Sequence, residues 1–248
     1  MLHRCYRQSR SASTIVAAML AYHSHKKTWT DAVDQYIALS NFSRETFIEG
    51  GLPANRITVK PNFVQPDPGT GNGAGGYAVF VGRLSGEKGL DTLLDAWQAL
   101  DDSLSLKIVG DGPLADQVRS AAAEDPRIEW LGRRPFDETL AIIGQAACLV
   151  MPSNVYETFG RTIIEAFAKA TPVIVSGLGA MRELVEDGVT GLHFEAGNSQ
   201  ALATAVQMLL GDESRLTKMR AAARKEFERR YTAEHNYRQL MDIYERVL

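Results

Sequence analysis

After residue 76 the chain settles into a rhythm that leaves few folds open to it. Six short, predominantly apolar runs occur at 77–81, 106–109, 128–131, 148–151, 172–175 and 191–194, several of them β-branched. Each leads into a longer stretch with helical spacing or helix-start residues. A strand that is apolar at every position is buried on both faces, and strands that alternate with helices join in parallel. Six such units predict an α/β fold with a doubly wound parallel sheet. Ligands of such sheets gather at the carboxyl ends of the strands.

Residues 66–76, Pro-Asp-Pro-Gly-Thr-Gly-Asn-Gly-Ala-Gly-Gly, support neither helix nor strand and read as an interdomain linker. They set off residues 1–65, which hold a helical pattern at 11–25, an extended run at 35–39, a helix at 43–50 and a short strand at 57–60. That is too little to close a core. Residues 77–232 form the main α/β domain, and 233–248 read as a closing helix with no strand after it.

The formal net charge of −3 and a pI near 6.0 give no general attraction to nucleic acid. Two cysteines, Cys5 and Cys148, make no disulfide framework, and Cys148 sits in an apolar run, so a reducing compartment fits best. The start, with His3, Arg4, Arg7 and Arg10 ahead of an apolar run at 15–21, superficially imitates a secretory signal. That run is short and meets Tyr22-His23-Ser24-His25-Lys26-Lys27 instead of a cleavage site, so it reads as an amphipathic helix. No stretch reaches the ~18 apolar residues of a membrane span.

The residues just beyond the strands are unusual. After the first run comes Gly82-Arg83-Leu84-Ser85-Gly86-Glu87-Lys88-Gly89, ahead of a helix with Leu90, Leu93, Leu94 and Trp97 on one face. A planar guanidinium and an ammonium near a helix start suit a diphosphate; an ordinary solvated basic loop is the alternative. Gly110-Asp111-Gly112-Pro113 follows the second run, where glycines permit close backbone approach but also make good turn chemistry. The fourth run leads into Ser153-Asn154-Val155-Tyr156-Glu157-Thr158-Phe159-Gly160-Arg161-Thr162-Ile163-Ile164-Glu165. Gly160 leaves the amides of a helix start bare for a phosphate oxygen. Glu165 in an apolar helix is costly to bury without a partner, and paired ribose hydroxyls would satisfy it, as would a structural ion pair. Glu157 is placed for the sugar end of a donor, or serves as a carboxylate at a helix N-terminus.

Together the Gly-Arg-Leu…Glu-Lys-Gly element and the two glutamates eight positions apart resemble family 4 glycosyltransferases of the GT-B fold, whose C-terminal half is a Rossmann-like domain. The match covers essentially everything after the linker, and residues 40–64 look like the end of that family's N-terminal domain. The resemblance implies a metal-independent enzyme that retains anomeric configuration and takes its sugar from a UDP-, GDP- or ADP-sugar. Arg83 and Lys88 would bind the diphosphate and Glu157 the transferred sugar. Thr158, Phe159, Gly160, Arg161 and Thr162 would form the phosphate-cradling turn, with Glu165 on the ribose. Gly82, Gly110, Asp111 and Gly112 would line the donor site, and the main chain at Arg133 and Arg134 would meet the base. Ala180 stands where the family usually has the second of two adjacent glycines. The family's N-terminal glycine-rich loop and acceptor-side histidine have no counterpart; His3, His23 and His25 lie outside that motif.

The expected function is therefore transfer of a sugar to a polysaccharide or lipid-linked acceptor, with this chain supplying the donor-binding half. It implies a cytoplasmic location, extending to peripheral contact at the inner membrane face. A homodimer or a partner chain would supply the acceptor-side domain. A non-catalytic binding or assembly module of a split enzyme is the alternative. Related phosphorylases and epimerases need groups not identifiable here, and a nicotinamide dehydrogenase needs a Gly-x-Gly-x-x-Gly turn after the first strand of the sheet, which is missing.

Overall fold

The computed structural model describes Tyr6, residues 9–100 and residues 104–248. His3, Arg4, Cys5 and Arg7 lie outside the described residues. The chain begins with α1 (Arg10–His25) and α2 (Thr28–Asp31), followed by a small βαβ unit: β1 (Tyr36–Ala38), α3 (Asn41–Glu49) and β2 (Ile57–Val59), with β1 and β2 parallel. The α3 helix starts two residues earlier than its apolar pattern suggests, because the Ser40 side chain caps it by accepting the Ser43 N–H.

The main domain runs β3 (Tyr77–Val81), α4 (Leu90–Ala99), β4 (Ser105–Val109), α5 (Ala115–Glu124), β5 (Ile128–Gly132), α6 (Phe136–Gln145), β6 (Cys148–Met151), α7 (Arg161–Ala168), β7 (Val173–Ser176), α8 (Gly179–Leu184), β8 (Gly191–Phe194) and α9 (Ser199–Leu210), then α10 (Glu213–Arg230) and α11 (Ala233–Val247). All six expected strands form, three with the expected bounds and three with ends shifted by one residue. They make one parallel sheet in the order β5-β4-β3-β6-β7-β8. The order reverses between β3 and β6, the switch point at which such sheets bind ligands. There the strands pair at Ala78–Cys148 and Val79–Leu149 and not at their carboxyl ends, the side on which sheets of this class hold a crevice.

Burial on both faces explains the unbroken apolar strands. Ala78 and Phe80 pack with Leu90, Leu93, Trp97 and Leu202 on one side of the sheet. Tyr77 and Val79 pack with Ile163, Phe167 and Phe227 on the other. Cys148 is fully buried, and burial pushes its thiol up to about 12, which makes it inert as a nucleophile.

Residues 66–76 join the two sheets and are fastened throughout. Gly71, Gly73 and Gly75 donate backbone hydrogen bonds to Lys169, Gly144 and Gln145. Arg224 clamps Asp67 through both oxygens at 2.9 and 2.6 Å. A Cβ on Gly71 would fall 1.9 Å from the Gly144 carbonyl oxygen, so the strap lies too close for any side chain. The α11 helix returns to the small unit: Asn236 accepts from Lys60 Nζ and donates to the Pro61 carbonyl. In α1, by contrast, Ile15, Met19, Leu20 and Tyr22 are exposed. Among the described residues no helix is long and apolar enough to cross a membrane.

Candidate donor site at the switch of the sheet

The loops that follow β3 and β6 meet over the crevice. Gly89 takes the left-handed conformation, φ +70°, and a Cβ there would sit 1.9 Å from the Pro152 carbonyl oxygen. Glycine is what lets the first loop turn into α4 against the second. Asn154 N–H donates to the Glu87 carbonyl at 2.9 Å and ties the loops a second time.

The third tie is chemical. Lys88 Nζ lies 2.5 Å from Glu157 Oε1, with both side chains largely buried. The Ser153 hydroxyl, from a residue 1% exposed, donates to the same oxygen at 2.8 Å. Two donors on Oε1 fix the carboxylate and direct the remaining acceptor capacity of Glu157 to its Oε2. The ammonium carries three N–H groups, so Lys88 can hold Glu157 and still face an anion. Arg83, on the exposed side of the same loop, makes no side-chain hydrogen bond among the described residues. Ser85 donates to Glu87 at 2.7 Å. That bond, aided by the nearby Arg83 and Lys88 charges, holds the Glu87 carboxyl below the usual range.

Gly160 caps α7 with φ +87° and no side-chain cap, so no side chain covers the amides of the first turn, Arg161 and Thr162. Phe159 is buried beneath the turn, while Thr158 is exposed. Glu165, one turn into α7, is 8% exposed. Burial pushes its carboxyl above the usual range, and Arg161, 3.1 Å away, opposes that shift. The ion pair weighed from sequence is therefore present, but its cation is mostly in solvent and offsets the burial only in part. The Arg161 guanidinium also lies 5.9 Å from the Phe136 ring centroid, which brings the loop carrying Arg133 and Arg134 toward the same end of α7. Both of those arginines are exposed.

A raised carboxyl stabilises the fold while protonated and loses that contribution as pH rises through its folded value. Glu165→Gln, a mimic of the protonated form, is thus expected to exceed the parent in stability by about 1 kcal/mol at pH 8. The two should converge below pH ~4, where the carboxyl is neutral in both folded and unfolded chains. Thermal melts at both values test this; a variant less stable than the parent at pH 8 would show that the carboxylate is not a burden.

Gly110 and Gly112 permit the close backbone approach read in the sequence. A Cβ on Gly110 would meet the Gly82 carbonyl oxygen at 1.8 Å, and one on Gly112 the Leu84 carbonyl oxygen at 2.4 Å. Their close approach is to the neighbouring loop, which they hold in place. Asp111 closes this turn by accepting the Gly112 N–H at 2.7 Å. Ser153 carried no signal in the sequence, and neither did the Lys88–Glu157 pair, whose members are 69 positions apart. Among the described residues no cluster of His, Cys, Asp and Glu could hold a metal ion.

A family model described as glycosyl transferases group 1 matches residues 75–212, more than half of the chain. The chain belongs to this family. It is 30% identical over 216 residues to an uncharacterized glycosyltransferase of Methanocaldococcus jannaschii, covering 86% of this chain and 60% of that one. It is 32% identical over 233 residues to a phosphatidyl-myo-inositol mannosyltransferase of Mycobacterium leprae, covering 89% of this chain and 61% of that one. The chain thus spans about three-fifths of the length of these relatives. Among solved structures, Anabaena HepE in complex with UDP superposes with a TM-score of 0.79 at 24% identity, over 86% of this chain and 64% of that one. The shared architecture is the α/β fold with a parallel sheet seen in GT-B glycosyltransferases.

Proposed function

We propose that this chain is the donor-binding half of a retaining, metal-independent glycosyltransferase that moves a sugar from a nucleoside-diphosphate sugar to a polysaccharide or lipid-linked acceptor. The observation that carries this reading is the Lys88–Glu157–Ser153 cluster at the switch point, beside an uncapped helix end. A diphosphate placed at the start of α7 meets the amides after Gly160 and the charges of Arg83 and Lys88. These cations stabilise the negative charge that grows on the leaving group as the sugar–phosphate bond breaks. Glu157 then receives hydroxyls of the transferred sugar through Oε2, and Glu165 those of the ribose. The main chain at Arg133 and Arg134 meets the base. Two of the solved structures with this fold carry UDP and UDP-glucose, which makes a uridine nucleotide the first donor to try.

In this reading residues 1–65 belong to the acceptor-side domain, 66–76 are the linker, and 233–248 are a helix that crosses back to residues 60–61. The enzyme works in the cytoplasm, where lipid-linked acceptors are met at the inner membrane face. A second reading, a binding module that needs a partner chain, is favoured by the exposed apolar side chains of α1 and of α11, where Tyr237, Met241 and Tyr244 form a stripe.

Calorimetric titration with UDP, GDP and ADP, with and without added divalent metal, tests the donor site. One nucleotide should bind saturably without metal, and Arg83→Ala should weaken it by about tenfold, the worth of one charge-assisted contact. Equal binding by Arg83→Ala would remove Arg83 from the site. No binding by the parent chain would favour the partner-dependent module.

A further inference from the structure

The loop that carries Glu157 is also held from outside the region that the family model matches. Ser40, the cap of α3, accepts the Ser43 N–H at 3.1 Å and donates its own hydroxyl to Ser43 Oγ at 2.9 Å. Ser43 Oγ passes the relay on, donating to the Thr158 carbonyl at 2.9 Å across 115 positions of sequence, while the Ser40 hydroxyl reaches the same carbonyl only at 3.4 Å. Both serines are buried, at 2% and 7% exposure. A helix cap needs only the first of them. The second stands at the third helical position, where a capping box would place a Glu or Gln reaching back to the cap, and here it turns to the loop instead. Linked hydroxyls polarise one another, which strengthens the last bond of the chain.

The helix that presents these serines is itself anchored. Glu183 on α8 accepts from Asn41 N at 2.9 Å, Asn41 Nδ2 at 2.8 Å and Phe42 N at 2.8 Å. A carboxylate at a helix N-terminus is favoured by the helix dipole as well as by these bonds. Phe42 packs on Tyr156, next to Glu157, with ring centroids 4.9 Å apart. Gly179 leaves room for that pair, since a Cβ there would come within 3.0 Å of both rings. Thr158 lies between the carboxylate of Glu157 and the turn at Gly160. Fixing its carbonyl fixes the peptide that sets one against the other.

We propose that Ser43 is a positioning residue for the donor site: its hydroxyl holds the Thr158 carbonyl so that the neighbouring Glu157 faces the donor sugar. This rests on the donor-site reading above. The small βαβ unit is then a brace for the donor loop. Bare nucleotide depends mainly on Arg83, Lys88 and the α7 amides, whereas the sugar depends on Glu157. The loss should therefore fall on the sugar.

Ser43→Thr and Ser43→Val have side chains of one shape and differ by the hydroxyl. Calorimetry first identifies which of UDP, GDP and ADP the parent binds, then compares it with UDP-glucose, GDP-mannose or ADP-glucose to match. The valine variant should lose about tenfold in affinity for the nucleotide sugar, the worth of one buried hydrogen bond, and no more than about twofold for the bare nucleotide. The threonine variant should match the parent for both. Should valine prevent folding, Ser43→Ala gives the same contrast with threonine without added bulk. A hydroxyl-free variant that loses both ligands equally, or neither, overturns the brace and leaves the donor site standing. A parent that binds no nucleotide sinks the donor reading and the brace with it.

Discussion

Lys88→Met is expected to weaken binding of the nucleoside-diphosphate sugar by about 30-fold, within the range for removing hydrogen bonds to a charged group. Methionine keeps the apolar stem and removes the ammonium. Two losses then coincide. The diphosphate loses one of its two cations, and Glu157, whose side chain is only 16% exposed, is left with the Ser153 hydroxyl as its one hydrogen-bond donor on Oε1 among the described residues. The double variant Lys88→Met/Glu157→Gln separates them. If the defect came only from an orphaned carboxylate, neutralising it would restore bare-nucleotide affinity. If the ammonium faces phosphate, the double variant stays weak, because no charge has returned. Calorimetry on the three proteins gives the answer, and parent-like binding by Lys88→Met would remove this lysine from the donor site.

Gly89→Ala is expected to cost about 3 kcal/mol of stability, from left-handed backbone and steric overlap together. For a chain of this size that is a fall of roughly 6–12 °C in melting temperature. Gly89 sits at φ +70°, which an L side chain adopts at a cost, and the new Cβ would fall 1.9 Å from the Pro152 carbonyl. Relief requires the two site loops to part, so nucleotide binding should fail along with stability. Gly86 is the control three residues away: nothing lies within 4 Å of a Cβ placed there. Gly86→Ala should melt within about 0.5 kcal/mol of the parent. Equal melting by the two variants would show that the loops are not locked at Gly89.

Much of this molecule was written in local pattern. The central strands of the main sheet are apolar at successive positions because helices cover both faces, and that requirement is visible in single runs such as 77–81 and 148–151. Gly160 and Glu165 were legible for a similar reason: a glycine at a helix start and an acid in an apolar helix are exceptions to local rules. Gly110 and Gly112 show where such reading stops. Their lack of side chains was visible, but the object they make room for is the loop at Gly82–Leu84, and only the sheet brings it there. Residues 66–76 likewise read as a tether, since glycine-rich composition does not reveal the carbonyls of α6 and α7 that hold them.

The sequence by itself determined the α/β class, the two-sided burial of the sheet, the helix caps and the set of charged residues beyond the strands. These follow from forces that act within a few residues: side-chain periodicity, backbone freedom and local capping. Only the tertiary structure decided the strand order with its switch between β3 and β6, and hence which two loops face each other. From that order come the pairing of Lys88 with Glu157 and the reach of Ser43 to Thr158. Such contacts join residues 69 and 115 positions apart. They form because burying both faces of the sheet offsets the entropy of closing such long loops, and that entropy grows only slowly with loop length.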